Sequence, residues 1–225
     1  LHSRHVLLIL DNFEQAMSNV AAATHETEEN LGRLREAAIK TGADTQFSAS
    51  EAAGAIENLA KAGVSTADIL SGGLTGALDL AAAGMLPVED AAENIATALT
   101  QFKLSGEQAT HVADLLAAGA GKAQGEVSDM ANALKFAGVP AANLGVSIEE
   151  TTGAIALFAK SGIIGEQAGT SLRGMLSSLT SPSQLAKKEL DRLGISMFDN
   201  QGKFIGLAGV ADQLQSHMKK LTDEE

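Results

Sequence analysis

"SASEAAGAIENLAKAG" (Ser48–Gly63) is a short helix written with both end signals, and "SIEETTGAIALFAKSG" (Ser147–Gly162) writes it again, with eight of sixteen positions identical. In each, a Ser stands three residues before a Glu: Ser48 before Glu51, Ser147 before Glu150. That spacing is a capping box, in which the hydroxyl accepts an orphan N–H while the carboxylate reaches back to the cap residue. A Gly closes each stretch, the residue that accepts the left-handed turn ending a helix. Two readings fit the pair: one unit used twice, or coincidence between Ala-rich helices. The match of Leu74 and Gly76 with Leu172 and Gly174, once a gap is allowed, favours an internal repeat (48–63 and 147–162).

The same signals run along the chain. Ser105 and Gln108 form a third box, and Gly42, Gly63, Gly84, Gly106, Gly125, Gly145 and Gly162 read as stops. Apolar spacing predicts helices over 11–41, 49–62, 66–83, 88–103, 106–120, 126–137, 148–161, 166–179, 184–193 and 208–221. The fold class is therefore mainly α: an array of short, Gly-punctuated helices. Two features break the array. The first is a long N-terminal helix with heptad spacing, running through Val6, Leu10, Phe13, Met17, Val20, Thr24, Thr27, Leu31, Leu34 and Ala38. It reads either as an amphipathic helix lying on its own domain or as a seam that meets copies of itself. On the second reading Val6, Leu10, Phe13, Met17, Val20, Leu31 and Leu34 carry homo-oligomerisation. The other feature is "ISMFDNQGKFI" (Ile195–Ile205), with β-formers on both sides of "DNQG", which predicts a small β-hairpin packed on the helices. The expected organisation is a long helix over 1–42, a helical core over 43–194, and hairpin plus C-terminal helix over 195–225.

Composition bounds the function. Of 225 residues 45% are apolar but only 3% aromatic, with no Trp, Tyr or Cys. The core must close through Ala, Gly and aliphatic side chains, which predicts close helix contacts and modest stability per residue. Without Cys there is no disulfide, thiolate nucleophile or sulfur-ligated metal. A net charge of −12 argues against binding a nucleic-acid backbone. No apolar run approaches the ~18 residues of a membrane span. The chain opens at Leu1 and not at Met, which reads as a fragment or processed product.

No reaction centre assembles from the residues. Of the five His, only His2 and His5 are neighbours, too little for a metal site, and His111 reads as a solvated helix position. "GAGKAQG" (Gly119–Gly125) fails as a phosphate loop, because Leu116 replaces the first Gly and Ala123 the hydroxyl residue. "DNQGK" has too few carboxylates for a calcium loop. Glu89/Asp90 and Glu149/Glu150 occupy first helical turns, where negative charge suits the helix dipole. Gly72 and Gly76 form a G-x-x-x-G, expected to mark close helix packing. Arg173 could clamp an anion, though a stem lying along its helix is the plainer role. The reading is a non-enzyme with no metal and no cofactor.

Taken in order, "FEQAMSNV" (Phe13–Val20), "GADTQFSASEAAGAIENLAKAG" (Gly42–Gly63), "LDLAAAG" (Leu78–Gly84), "LGVSIEETTGAIALFAKSGI" (Leu144–Ile163), "GEQAGTSLRGML" (Gly165–Leu176), "LGISMFD" (Leu193–Asp199) and "GKF" (Gly202–Phe204) resemble the core region of tailed-phage tape measure proteins. The positions that carry the resemblance, with structural roles, are Phe47, Ser48, Gly63, Gly84, Gly165, Gly169, Thr170, Arg173 and Gly194. It implies a phage or prophage structural protein that sets tail length from within the tail tube lumen, made in the bacterial cytoplasm. It implies tail tube protein, tail assembly chaperones and tail-tip proteins as partners, and no catalytic residue in this region. The rival reading is a non-catalytic helical-repeat binding module unrelated to phage tails.

Overall fold

The computed structural model describes residues 2–122 and 124–218, with side chains described within 12–217. The chain is helical as predicted, through α1 (His2–Thr24), α2 (Glu28–Asp44), α3 (Ala49–Lys61), α4 (Thr66–Asp68), α5 (Leu74–Gly84), α6 (Val88–Phe102), α7 (Ala109–Gly121), α8 (Val127–Asn143), α9 (Ile148–Lys160), α10 (Gly165–Thr180), α11 (Gln184–Leu193) and α12 (Gly206–Met218). A π turn, Ile69–Gly73, joins α4 to α5 with a kink at Gly72, and a 3-10 turn, Gly106–Gln108, leads into α7. Buried apolar side chains from Phe13 to Val210 form one continuous cluster, dominated by Ala, Leu and Ile.

Some end signals work as read, but Gly42 lies inside α2 and Gly106 opens the 3-10 turn, so neither is a stop. Ser48 accepts the Glu51 N–H at 3.2 Å while Glu51 Oε2 accepts the Ser48 N–H at 2.7 Å, a complete box. At Ser147 the box is only half made. The Ser147 hydroxyl accepts the Glu150 N–H at 3.2 Å, but Glu150 Oε1 accepts the Ala208 N–H of α12 at 2.8 Å. A first-turn N–H of a distant helix thus takes the carboxylate away from its own cap. Gly63 (φ +87°) and Gly162 (φ +81°) end α3 and α9 in the left-handed conformation. In both, the residue after the Gly bonds back into the helix: Val64 N–H to Leu59 C=O at 3.0 Å, and Ile163 N–H to Phe158 C=O at 3.1 Å.

Three predicted features are corrected. The long N-terminal helix is two helices. His25 turns left-handed (φ +52°), and the Thr27 hydroxyl accepts the Asn30 N–H as the cap of α2, with Glu28 and Glu29 in its first turn. The break lets α1 and α2 both pack on α3, which one straight rod could not do. The predicted β-hairpin is a turn closed by a single antiparallel bridge between Phe198 and Phe204, and no strand forms among the described residues. Asp199 Oδ1 takes the N–H groups of Gln201 and Lys203 at 2.9 and 2.8 Å, and the left-handed Gly194 and Gly206 flank the turn, leaving no length for a ladder. It does pack on the helices, burying Ile195, Met197 and Phe204. Finally, α8 runs past its predicted end at 137 to Asn143, with Pro140 inside it. Proline removes a bond and clashes in a helix interior, but here it falls in the last turns, where its own carbonyl still accepts the Leu144 N–H at 3.3 Å.

The short helices approach closely because glycine stands where they cross. The G-x-x-x-G is a packing site, as expected. A Cβ on Gly76 would stand 2.5 Å from the Ala109 carbonyl carbon at the start of α7, and one on Gly72 would stand 2.5 Å from the Gly106 carbonyl oxygen. Gly106 in turn lies against the Asp68 backbone, and Gly169 of α10 against Ala133 of α8.

Candidate functional site

Among the described residues no three His, Asp or Glu come together as a metal site. No helix among them is long and apolar enough to cross a membrane. What the chain presents are tight backbone crossings inside and two distinctive surfaces outside.

The first surface is the N-terminal pair. Phe13, Met17, Val20 and Leu34 are buried in this chain's own core, with Leu31 half-buried beside them, so the heptad stripe closes on α3 within one molecule. The side chains of Val6 and Leu10 lie outside the described residues. Arg35 ties the pair together across the break. It donates two hydrogen bonds to Glu14, both at 2.6 Å, and its guanidinium lies 5.3 Å from the Phe13 ring centre. Both charged side chains are well exposed, so the geometry orients the helices more than it stabilises them.

The second surface is an apolar groove of about 610 Å³ between α9, α10 and α12. Ala154, Leu157, Phe158, Met175, Leu207 and Leu214 are among its lining residues, and Leu157 is 65% exposed. Sequence reasoning missed it. The one available signal was Leu157 beside Phe158, two large apolar residues in adjacent positions, more than one buried helix face can take.

The residues that carry the family resemblance hold structural positions. Phe47 packs against the core, Ser48 caps α3, and Gly63 and Gly194 end α3 and α11 in left-handed turns. Gly84 would meet Val127 and Leu86 if it bore a side chain. Gly165 (φ +57°) opens α10, Gly169 meets α8, and the Thr170 hydroxyl donates to its own helix at Glu166 C=O, 2.9 Å. Arg173 is exposed on α10. They are spread along the chain and converge on no common point.

Five carboxylates titrate low, Glu14, Glu26, Glu51, Asp68 and Glu149, and three of them are set by caps or turns. The Ser65 hydroxyl, then the Gly106 N–H at 2.8 Å, holds Asp68 below the ordinary carboxylate range. The Ser48 N–H and hydroxyl do the same for Glu51. Ser147, with a further contribution from His111 at 2.9 Å, depresses Glu149. A carboxylate whose folded pKa lies below its unfolded value stabilises the fold above the unfolded pKa, and that stability is lost as pH falls through the folded one. The thermal midpoint should therefore stay flat from neutral pH to about 5 and fall below about 4. Circular-dichroism melts across that range would test this, and a midpoint that rose on acidification would contradict it. Asp68→Asn should flatten the fall more than the other two single amide changes, because Asp68 alone of the three is held by a backbone N–H from a distant turn.

The described body is helical and closes through glycine crossings, and most of the residues that carry the resemblance sit at caps, turns and crossings. The chain belongs to the family of phage-related minor tail proteins, which matches residues 35–225. It is similar to a protein named "Tape measure protein" of Pneumococcus phage Dp-1, with 42% identity over 215 residues, covering 96% of this chain and 19% of that protein. It is also similar to a "Probable tape measure protein" of Escherichia phage P2, with 30% identity over 220 residues, covering 96% of this chain and 27% of that protein. The chain thus spans less than a third of the length of either relative. No solved structure matches it.

Proposed function

We propose that this chain is a folded anchor region of a tape measure protein, acting in the phage tail lumen during assembly and not serving as the length-measuring rod itself. The observation that carries this is the way the helices return on one another. α3 packs against α1, α2, α5 and α6, and α8 packs against α6, α7, α9 and α10. A rod gains ~1.5 Å of length per helical residue, and helices folded into a body give that length up. Similarity to proteins named for tape measurement supports the tail context. Tail tube protein, tail assembly chaperones and tail-tip proteins are the partners this role requires, and none of the work is catalytic.

In-frame deletions supply the test, with tails measured by electron microscopy. Deletions within 43–225 should abort tail assembly, because they remove parts of one core. Deletions of equal size in helical stretches elsewhere in the protein should shorten tails in proportion. Proportional shortening from deletions within 43–225 would overturn the division of labour.

A further inference from the structure

Glu51 and Glu150 stand at the same place in two copies of one stretch, and they bond differently. Glu51 Oε2 accepts the N–H and the hydroxyl of Ser48, both at 2.7 Å, and so closes its own capping box. Glu150 leaves the Ser147 N–H and reaches α12 instead, where Oε1 accepts the Ala208 N–H at 2.8 Å. α12 is shaped to receive it. Gly206 (φ +81°) opens that helix hard against the carboxylate, and a Cβ there would stand 3.1 Å from Glu150 Oε2. The Ser147 hydroxyl still caps α9 through the Glu150 N–H, so only the side chain is diverted.

The segment it reaches is loosely seated. Helices α1 to α10 each lie closely along a neighbouring element, whereas among the described residues α11 and α12 lie closely along none. α11 buries no residue, and the buried apolar side chains of 181–217 are Ile195, Met197, Phe204 and Val210. Two apolar grooves run between this segment and the rest of the molecule. One of about 610 Å³ separates α12 from α9 and α10. Another, of about 430 Å³, is lined by Leu190 and Leu193 of α11 with Met175 and Leu179 of α10. Such gaps forfeit the dispersion contacts that a closely packed helix would make.

We propose that residues 181–218 form a strap that opens from α9 and α10 as one unit while the rest of the chain stays folded, and that Glu150 is a latch that changes partner as it does. Closed, Glu150 holds the Ala208 N–H. Open, it turns back to the Ser147 N–H and completes the box that Glu51 makes in α3. The Ala208 N–H, in a first helical turn, is then met by water. Each bond joins a backbone N–H to a carboxylate, so the exchange leaves the polar balance near zero. Opening then costs little beyond exposing the strap's buried apolar side chains. Units of low local stability open far more often than the whole chain unfolds. This device goes beyond the anchor role and does not rest on it.

Native-state hydrogen exchange on the intact chain tests the strap. Amides of α11 and α12 should exchange together, at least about 100-fold faster than those of α8, through an opening with a smaller denaturant dependence than global unfolding. A double-mutant cycle tests the latch. Ser147→Pro removes the N–H that the open state needs, at a φ of −72° that suits proline, and spares the bond to Ala208. It should slow strap exchange about tenfold, although it weakens the cap of α9 that both states share. Glu150→Ala alone takes one bond from each state, so strap exchange should stay within about threefold of the parent. Added to Ser147→Pro, it takes the closed-state bond only and should speed exchange about tenfold. Exchange of α11 and α12 in step with α8 would overturn the strap in the parent chain, without any variant. Equal speeding by Glu150→Ala in both backgrounds would make Glu150 a simple tie, and no effect in either would make it no tie at all; both results overturn the latch.

Discussion

Gly106→Ala will destabilise this protein by roughly 3 kcal/mol or more, although it adds one methyl group. The residue is buried at the point where the turn before α7 crosses α4. A Cβ there would fall on the backbone carbonyl of Asp68, and no flexible side-chain end is available to move aside. The Gly106 φ is not in the left-handed region, so the cost is contact and not backbone strain. Relief requires the two segments to separate, which would also break the 2.8 Å bond from the Gly106 N–H to Asp68. For a chain of this length the melting temperature should fall by about 6–12 °C. Gly153→Ala is the matched control. Gly153 is within α9 with nothing within 4 Å of its would-be Cβ, so alanine there should be neutral or raise stability by up to ~1 kcal/mol. A Gly106→Ala melt within two degrees of the parent would refute the crossing argument.

Met17→Asp should cost about 4 kcal/mol or more, and it separates two meanings of the heptad spacing. Met17 is 5% exposed, inside the cluster that also holds Val20 and Leu34. An acid placed there is buried without a partner. If the stripe were instead an exposed seam between copies, the same substitution would leave the melt unchanged and lower the oligomeric mass. Urea unfolding and light scattering on one sample distinguish these outcomes. Lost stability at constant mass supports the packing described here. Leu34→Ala, at a wholly buried position, should lose about 2–5 kcal/mol by creating a cavity, without the complication of charge.

The break at His25–Thr27 shows how far local signals reach. Thr27 followed by Glu28 and Glu29 is a helix start, and it is visible in the residues. Heptad continuity across it hid the signal, because a stripe of the right period reads the same whether it runs on one rod or on two helices facing a third. Glu150 is the reverse case. Its capping box was legible, yet the carboxylate serves the N–H of Ala208, fifty-eight residues away. The hairpin failed for a similar reason: Asp199 and two left-handed glycines took up the backbone groups and the length that a ladder would have needed.

Many helix starts and stops and the absence of an aromatic core were legible in the chain's own order, since caps and glycine stops act over at most a few residues. The period of apolar positions likewise settled that each helix would have a face to bury. Which neighbour each face would meet was decided only by the packed molecule, because burial of apolar surface is non-directional and rewards any partner that excludes water. The same physics closes α3 beneath α6 and leaves Ala154 and Phe158 of α9 half-buried along a groove.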